Sequence, residues 1–179
     1  MKDSSTSIEQ LLQLKDPSLF KDKAYVDGQW IEARSGKRFE VIVLTKVPTD
    51  PGTDKPWASC PDTAAEDVDG AVQAAHEAFQ SYRQATPRAR AELLYRWDAL
   101  IKDNMDDLAR ILVYETGKPL AEARGELLYA ESFVRWFAGE AERVHGSAYP
   151  AALPGRRIFT IKQPIGVAAA LVPWNFPVA

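Results

Sequence analysis

The sequence is poor in residues that build metal sites and disulfides. Its 179 residues include one cysteine, Cys60, and two histidines, His76 and His145. A single cysteine cannot form an internal disulfide, which is typical of a reducing compartment. The two histidines are isolated from each other and from the cysteine, so no metal site is expected. We expect an intracellular protein, with the cytoplasm as the first choice and the mitochondrion as the alternative.

Long apolar runs and an excess of one charge are also missing. The stretch Ile165 to Pro173 is only as long as a strand, and the N-terminus carries no apolar signal core. A net charge of −3 gives no electrostatic reason to expect a nucleic acid or membrane partner. With 46% hydrophobic and 26% charged residues, the composition predicts one globular domain of ordinary size.

The first sixty residues carry short strand signals. Residues 1–20 are polar, and we assign them no function. The segment Tyr25 to Ala33, YVDGQWIEA, predicts a β-hairpin because Asp-Gly lies between apolar flanks. A strand is expected at Arg38 to Val43. We expect Cys60 to lie in a loop, as a structural or incidental thiol and not a nucleophile.

The first two of four predicted helices have clear start signals. Thr63 to Glu66 fits a capping box. Thr86 followed by Pro87 predicts a second start, with a helix running to about Lys102.

The third and fourth predicted helices meet at a glycine. The third spans about Met105 to Glu115 and stops at Gly117, and the fourth spans about Leu120 to Val144. Gly117-Lys118 also looks like half of a phosphate loop, but the rest of that motif is missing, and a helix stop is the better interpretation. The side chains expected to face a core are Val68, Val72, Ala75 and Phe79; Leu93, Leu94, Trp97, Leu100 and Ile101; and Leu127, Leu128, Ala130, Phe133, Val134, Phe137 and Ala141.

The last part of the chain predicts strands. Arg156 to Lys162 alternates in part and suits a strand. The apolar run Val167 to Val172 lies between Gly166 and Pro173, which predicts a fully buried strand of a parallel sheet. Ligands of such sheets bind beyond the carboxyl ends of the strands, where this chain places Trp174 and Asn175.

Asn175 is the strongest candidate for chemistry, and two interpretations are open from the residues alone. Its amide can donate to an oxyanion that develops on a carbonyl substrate. It can equally cap a helix, which is common for asparagine and is favoured on spacing. Trp174 can line a nucleotide cleft, although a place in the core is the better interpretation by itself.

Several segments together resemble the aldehyde dehydrogenase superfamily. PIGVAAALVPWNFP, which ends at Pro177, is similar to the family segment PxGVxxxIxPWNFP, and YVDGQWIEA, TPRARAELLYRWDALI and ETGKPLAEARGE occur in family order. GELLYAESFVRWFAGEAERVHG, residues 125–146, is similar to the succinate-semialdehyde dehydrogenase branch. The resemblance covers roughly residues 18–179.

The resemblance implies an α/β fold: the N-terminal part of an aldehyde dehydrogenase, with a β-hairpin, about four helices and the first strand of an incomplete Rossmann-type sheet. It divides the chain into a polar segment (1–20), part of the cofactor-binding domain (21–146), an oligomerisation arm (147–163) and the first sheet strand with its turn (164–179).

The same resemblance implies roles for the turn around Asn175. Asn175 would be the catalytic oxyanion donor, and Val172, Pro173, Trp174 and Asn175 would contact NAD or NADP. Phe176 would lie at the substrate tunnel, which is a weaker transfer. The implied reaction is oxidation of succinate semialdehyde to succinate, in 4-aminobutyrate catabolism, by a homo-oligomer with no metal.

Two departures from the family pattern lead to further expectations. The family's glycine loop, glutamate base and cysteine nucleophile would all follow Ala179, so we expect this chain alone to be inactive. A second function class is therefore a catalytically inactive polypeptide that acts by associating with full-length subunits. Val43 to Thr49 interrupts an otherwise continuous family segment, and two interpretations are open: an edge strand or an insertion. Our hypothesis for an insertion is a segment wrongly retained in the gene model.

Overall fold

The structure is a computed structural model that describes residues 12–42 and 56–179. A short 3-10 helix spans Pro17–Leu19. The strands are β1 (Ala24–Val26), β2 (Gln29–Ile31), β3 (Arg38–Ile42), β4 (Pro56–Pro61), β5 (Ala148–Pro150) and β6 (Arg157–Phe159). The helices are α1 (Ala65–Tyr82), α2 (Pro87–Asp103), α3 (Met105–Thr116) and α4 (Leu120–Ala141). In the described part of the chain the strands pair as three separate antiparallel hairpins, β1–β2, β3–β4 and β5–β6.

The predicted hairpin at Asp27-Gly28 is confirmed. Both turn residues have positive φ, 49° and 74°, as a two-residue turn between right-twisted strands requires. The turn sets the register in which Tyr25 lies opposite Trp30, and their ring centroids are 4.9 Å apart.

The second hairpin corrects the placement of Cys60. The strand expected from Arg38 is present as far as Ile42, whereas Val43 and the proposed insertion at 43–49 lie outside the described residues. Cys60 is not in a loop but in β4, because it pairs in register with Phe39 of β3. Burial raises the pKa of its thiol, which disfavours the reactive thiolate.

The helix boundaries agree with the sequence at two of the expected signals and differ at a third. The Thr86 hydroxyl accepts the Ala89 N–H at 3.1 Å, and Gly117 ends α3 with φ 73°, both as predicted. The capping box at Thr63 is wrong by one residue, because α1 begins at Ala65 with Ala64 as its N-cap. The carboxylate of Asp67 accepts the Ala64 N–H at 2.9 Å and also the Arg34 N–H at 2.9 Å, so it links the helix start to the loop after β2.

The core lies between α3 and α4. Ala109 and Leu112 of α3 pack against Ala123 and Leu127 of α4, and all four are at most 1% exposed. The connection between these helices contains only residues 117–119, so the two helices form a local antiparallel pair.

The contact between α2 and α4 is made by small and charged residues. Ala91 lies buried on α2 and Ala130 on α4, which lets the two helices approach closely. Lys102 of α2 donates to Asp98 at 2.7 Å and lies 3.1 Å from Glu131 of α4.

The predicted core faces of the helices are therefore wrong in part. Of the expected positions, Ile101, Leu127 and Ala130 are buried. The larger apolar side chains of these helices remain partly or largely exposed within residues 12–42 and 56–179. Those at least 38% exposed are Val68, Val72, Leu93, Trp97, Leu100, Leu128, Phe133 and Phe137.

Part of the polar N-terminal segment is attached to α3. Asp107, in the first turn of α3, is 4% exposed and accepts the backbone N–H groups of Lys15 and Asp16 at 3.1 and 2.9 Å. Residues 1–11 lie outside the described residues.

The expectation of a buried strand at Val167 to Val172 is wrong for this structure. These residues form no strand, and Leu171 and Val172 are 101% and 80% exposed. A strand requires a neighbour that accepts its backbone hydrogen bonds, and within 12–42 and 56–179 no other strand lies alongside this run. The strand expected at Arg156 to Lys162 is present, but only as β6. In the described part of the chain, no helix is long and apolar enough to span a bilayer.

Candidate functional site

The candidate residues lie together in a bent turn after the apolar run. Residues 174–177 form this turn, and Val172, Pro173, Trp174, Asn175 and Phe176 are all exposed. Trp174 is 79% exposed, so it is not a core residue here. The five candidates therefore form one continuous surface strip with two rings and one amide.

The side-chain amide of Asn175 has no partner among residues 12–42 and 56–179. Its side chain makes no hydrogen bond with any described residue, and it caps no helix. An exposed amide with both N–H groups unused is available to a ligand.

The backbone of this turn, in contrast, is fixed by one lysine. The ammonium of Lys118 donates to the carbonyl oxygen of Asn175 at 3.2 Å. The same nitrogen lies 4.7 Å from the ring centroid of Phe176, within the range of a cation–π contact. Lys118 follows Gly117, the left-handed residue that ends α3, so the end of a helix places the ammonium at this turn.

A buried glutamate contacts the residues that follow. Glu126, in the second turn of α4, pairs with Lys118, and its side chain is 1% exposed. It also accepts the Val178 N–H at 2.9 Å and the Ala179 N–H at 3.4 Å. Burial by itself would raise the pKa of Glu126, but Lys118 and the backbone donors outweigh it and lower that pKa.

Glu115, in the last turn of α3, is close enough to Glu126 to be affected by its charge. Partial burial of its carboxyl group, together with the negative charge of Glu126, raises the pKa of Glu115, although the residue as a whole is exposed. The helix ends around Lys118 thus carry two carboxyl groups whose pKa values are shifted in opposite directions.

Sequence reasoning missed both Lys118 and Glu126 as parts of the site. From the sequence, Lys118 is part of an incomplete phosphate-loop motif and the residue after a helix stop, and neither interpretation connects it to Asn175. A usable signal was present at Glu126, because this charge lies on the same helix face as Ala123, Leu127 and Ala130, which all face the core.

The terminal segment also passes α1. An open groove of about 550 Å³ lies there between Val72, His76 and Phe79 of α1 and Ile165 and Val167. Among the described residues, no group of three or more His, Cys, Asp and Glu side chains is arranged to bind a metal ion.

Comparison with known proteins places the chain in a family. Residues 30–179 match the aldehyde dehydrogenase family. The chain is 49% identical over 167 residues to 3-sulfolactaldehyde dehydrogenase of Pseudomonas putida, covering 93% of this chain and 33% of that protein. It is 46% identical over 168 residues to glutarate-semialdehyde dehydrogenase of Pseudomonas aeruginosa, with 94% and 33% covered.

The structure gives the same result. It superposes on the crystal structure of succinate-semialdehyde dehydrogenase from Burkholderia pseudomallei with a TM-score of 0.83 and 45% identity, covering 92% of this chain and 33% of that one. The fold expected from the sequence, the N-terminal portion of an aldehyde dehydrogenase, is thus confirmed by its four helices and small antiparallel sheets, apart from the strand at 167–172. The chain spans about one third of the length of the curated relatives it matches. The family match over residues 30–179, the identities and the shared fold together show that this chain belongs to the aldehyde dehydrogenase family.

Proposed function

We propose that this chain is part of an NAD(P)-dependent aldehyde dehydrogenase in which Asn175 donates to the oxyanion. The supporting observation is that its amide is exposed and unpaired while its backbone is fixed by Lys118. When a thiolate adds to an aldehyde, negative charge develops on the carbonyl oxygen, and an oriented N–H stabilises it. One such donor contributes about 3 kcal/mol to transition-state stabilisation.

The thiolate is expected from outside this chain. Cys60 does not suit the role, because it lies in the β3–β4 hairpin and its thiol pKa is raised by burial. By the resemblance to the family, the nucleophile and the general base would follow Ala179. We therefore propose that the 179-residue chain alone does not oxidise aldehydes.

The strip before and at Asn175 suits one wall of a nucleotide site. It consists of Val172, Pro173, Trp174 and Asn175. They offer an exposed apolar strip with an indole ring at its end and a hydrogen-bonding amide beside it. In residues 12–42 and 56–179 no glycine-rich phosphate loop accompanies this strip, so it accounts for one side of a cofactor only. The bound cofactor supplies the hydride acceptor, and the choice between NAD and NADP stays open.

We propose a small aldehyde with an anionic group at its far end as substrate, with succinate semialdehyde as the first choice. The relatives support this proposal, because each is named for an aldehyde that also has an anionic group. These aldehydes are 3-sulfolactaldehyde, glutarate semialdehyde and succinate semialdehyde. Catabolism of 4-aminobutyrate, in the cytoplasm, remains the expected setting for succinate semialdehyde.

A complete enzyme made from this chain tests the proposal. The chain is joined to the part of the Pseudomonas putida relative that follows the matched region, and activity is measured with succinate semialdehyde and either cofactor. Asn175→Ala should lower kcat by about 10²–10³. The matched variant Asn104→Ala, at the end of α2, should retain activity within about twofold, since its amide bonds only its own helix. An Asn175→Ala enzyme with unchanged kcat contradicts the oxyanion role.

A non-catalytic role is the second candidate. The observation that favours it is the exposed β5–β6 hairpin, with Tyr149, Ile158 and Phe159 between 50% and 73% exposed, in a chain one third the length of its relatives. Such a polypeptide would associate with full-length subunits through this hairpin. Co-purification of the 179-residue chain with a full-length relative, without activity of its own, supports this reading. Turnover by the purified chain would refute it.

A further inference from the structure

We infer that Lys118 and Glu126 are positioning residues for the Asn175 turn, an inference that rests on the proposed function of Asn175. Neither residue is expected to touch the substrate. Their role would be to fix the backbone that presents the Asn175 amide.

The first argument is the kind of contact that the pair makes. Lys118 and Glu126 are 14% and 1% exposed, and a buried ion pair of this kind rarely adds stability over a well-packed apolar pair. What an apolar pair cannot supply is directed hydrogen bonds. Here the ammonium reaches the Asn175 carbonyl, and the carboxylate reaches the N–H groups of Val178 and Ala179.

The second argument is that the rest of the segment is poorly held. Upstream of the turn, Ile165 and Leu171 are 94% and 101% exposed. The turn is therefore fixed mainly from its C-terminal side, by the junction of α3 and α4. That junction holds a buried apolar cluster, with Leu112 and Leu127 at 1% and 0% exposed.

The third argument concerns the sensitivity of catalysis to position. A displacement of roughly 1 Å of a catalytic group can cost about 10²-fold in rate. Lys118 donates to the carbonyl of Asn175 itself and lies over the ring of the next residue, Phe176, so its loss frees both the backbone of Asn175 and the ring beside it.

Hydrogen exchange in the 179-residue chain tests the contacts directly. The amide of Val178 should be protected, and Lys118→Met and Glu126→Leu should each raise its exchange rate by at least about tenfold. Lys118→Arg keeps the charge and donors and should preserve most of the protection. Lys102→Met removes a comparable lysine from the α2–α4 contact and should leave this amide unchanged. An unprotected Val178 amide in the unmodified chain overturns the inference, and so does equal protection in all variants.

The joined enzyme tests whether the pair acts through Asn175. Lys118→Met should lower kcat by about 10²-fold with little change in KM, and Lys118→Arg should recover most of the loss. In an Asn175→Ala background, Lys118→Met should cost less than about threefold more, because residues acting as one unit are not additive. An equal cost in both backgrounds means a general structural role and overturns the inference. If Asn175→Ala alone has no effect, the proposed function fails, and the exchange experiment still decides whether Lys118 fixes the turn.

Discussion

Replacement by alanine should affect the free energy of unfolding strongly at Leu127 and hardly at all at Leu171. Leu171 is 101% exposed in the terminal segment, whereas Leu127 is 0% exposed in the α3–α4 core. Leu127→Ala removes a buried side chain and leaves a cavity, so it should lower the free energy of unfolding by about 2–5 kcal/mol. Leu171→Ala removes no buried contact, and the change should stay within about 0.5 kcal/mol.

The burial free energy that the exposed terminal segment lacks is larger than that of one side chain. Five apolar residues of the terminal segment, Ile161, Ile165, Leu171, Val172 and Trp174, are between 76% and 101% exposed. Burying a side chain of this size is worth about 1.5–3 kcal/mol, so together they forgo about 8–15 kcal/mol. That is as much as the whole stability of a typical domain. These five side chains can contribute to stability only when further protein covers them.

Urea unfolding of the 179-residue chain, followed by far-UV circular dichroism at low micromolar concentration, measures both variants. In the joined enzyme, Leu171→Ala should instead cost about as much as Leu127→Ala, because the segment is then covered. A loss of more than about 2 kcal/mol for Leu171→Ala in the 179-residue chain would refute the reasoning, since it would mean that the segment is already buried.

Two further predictions concern Gly117 and Asp67. Gly117→Ala should lower the free energy of unfolding by about 1–2 kcal/mol, because φ is 73° there and an L side chain is strained in that conformation. Gly125 lies inside α4 with open space around the added methyl, so Gly125→Ala should instead raise the free energy of unfolding by about 0.5–1 kcal/mol. Urea midpoints of the two variants compare them, and equal shifts would contradict the left-handed stop. The backbone N–H groups of Ala64 and Arg34 lower the pKa of Asp67, so its contribution to stability is present above its unfolded pKa and is lost as the pH falls through the folded value. Asp67→Asn should therefore reduce stability at neutral pH and weaken the loss of stability that sets in as the pH falls below the unfolded pKa of Asp67, and an unchanged pH profile in urea unfolding would count against this link.

Local signals in the sequence predicted local structure well. Asp27-Gly28, Thr86-Pro87 and Gly117 each fix backbone angles or satisfy a free N–H within a few residues, and all three act as expected. The Thr63 signal failed because Asp67 is also bonded to Arg34, a contact 33 residues away that the local pattern does not contain.

Predictions that depend on partners were less successful. The run Val167 to Val172 has the composition of a buried strand, but strand formation needs a neighbour, and the chain covers one third of its relatives. Apolar residues cover a larger part of the α4 surface than the part that packs against other helices. Periodicity alone therefore did not separate Leu127, which is buried, from Leu128, which is 55% exposed. For the site, the sequence pointed to Asn175 through its neighbours but not to Lys118, because the turn and the helix junction lie 57 residues apart.

The short connection between α3 and α4 has a consequence for the order of folding. These helices are neighbours in sequence, so their contacts close a small loop and can form early. The bonds that Asp107 accepts from Lys15 and that Glu126 accepts from Val178 span 92 and 52 residues, so they close much larger loops and should form later. We expect substitutions of Leu112 or Leu127 to slow folding and substitutions of Asp107 or Glu126 mainly to speed unfolding. The helix pair would thus form first. The segments around Lys15 and Val178 would then attach to it, late and independently of each other.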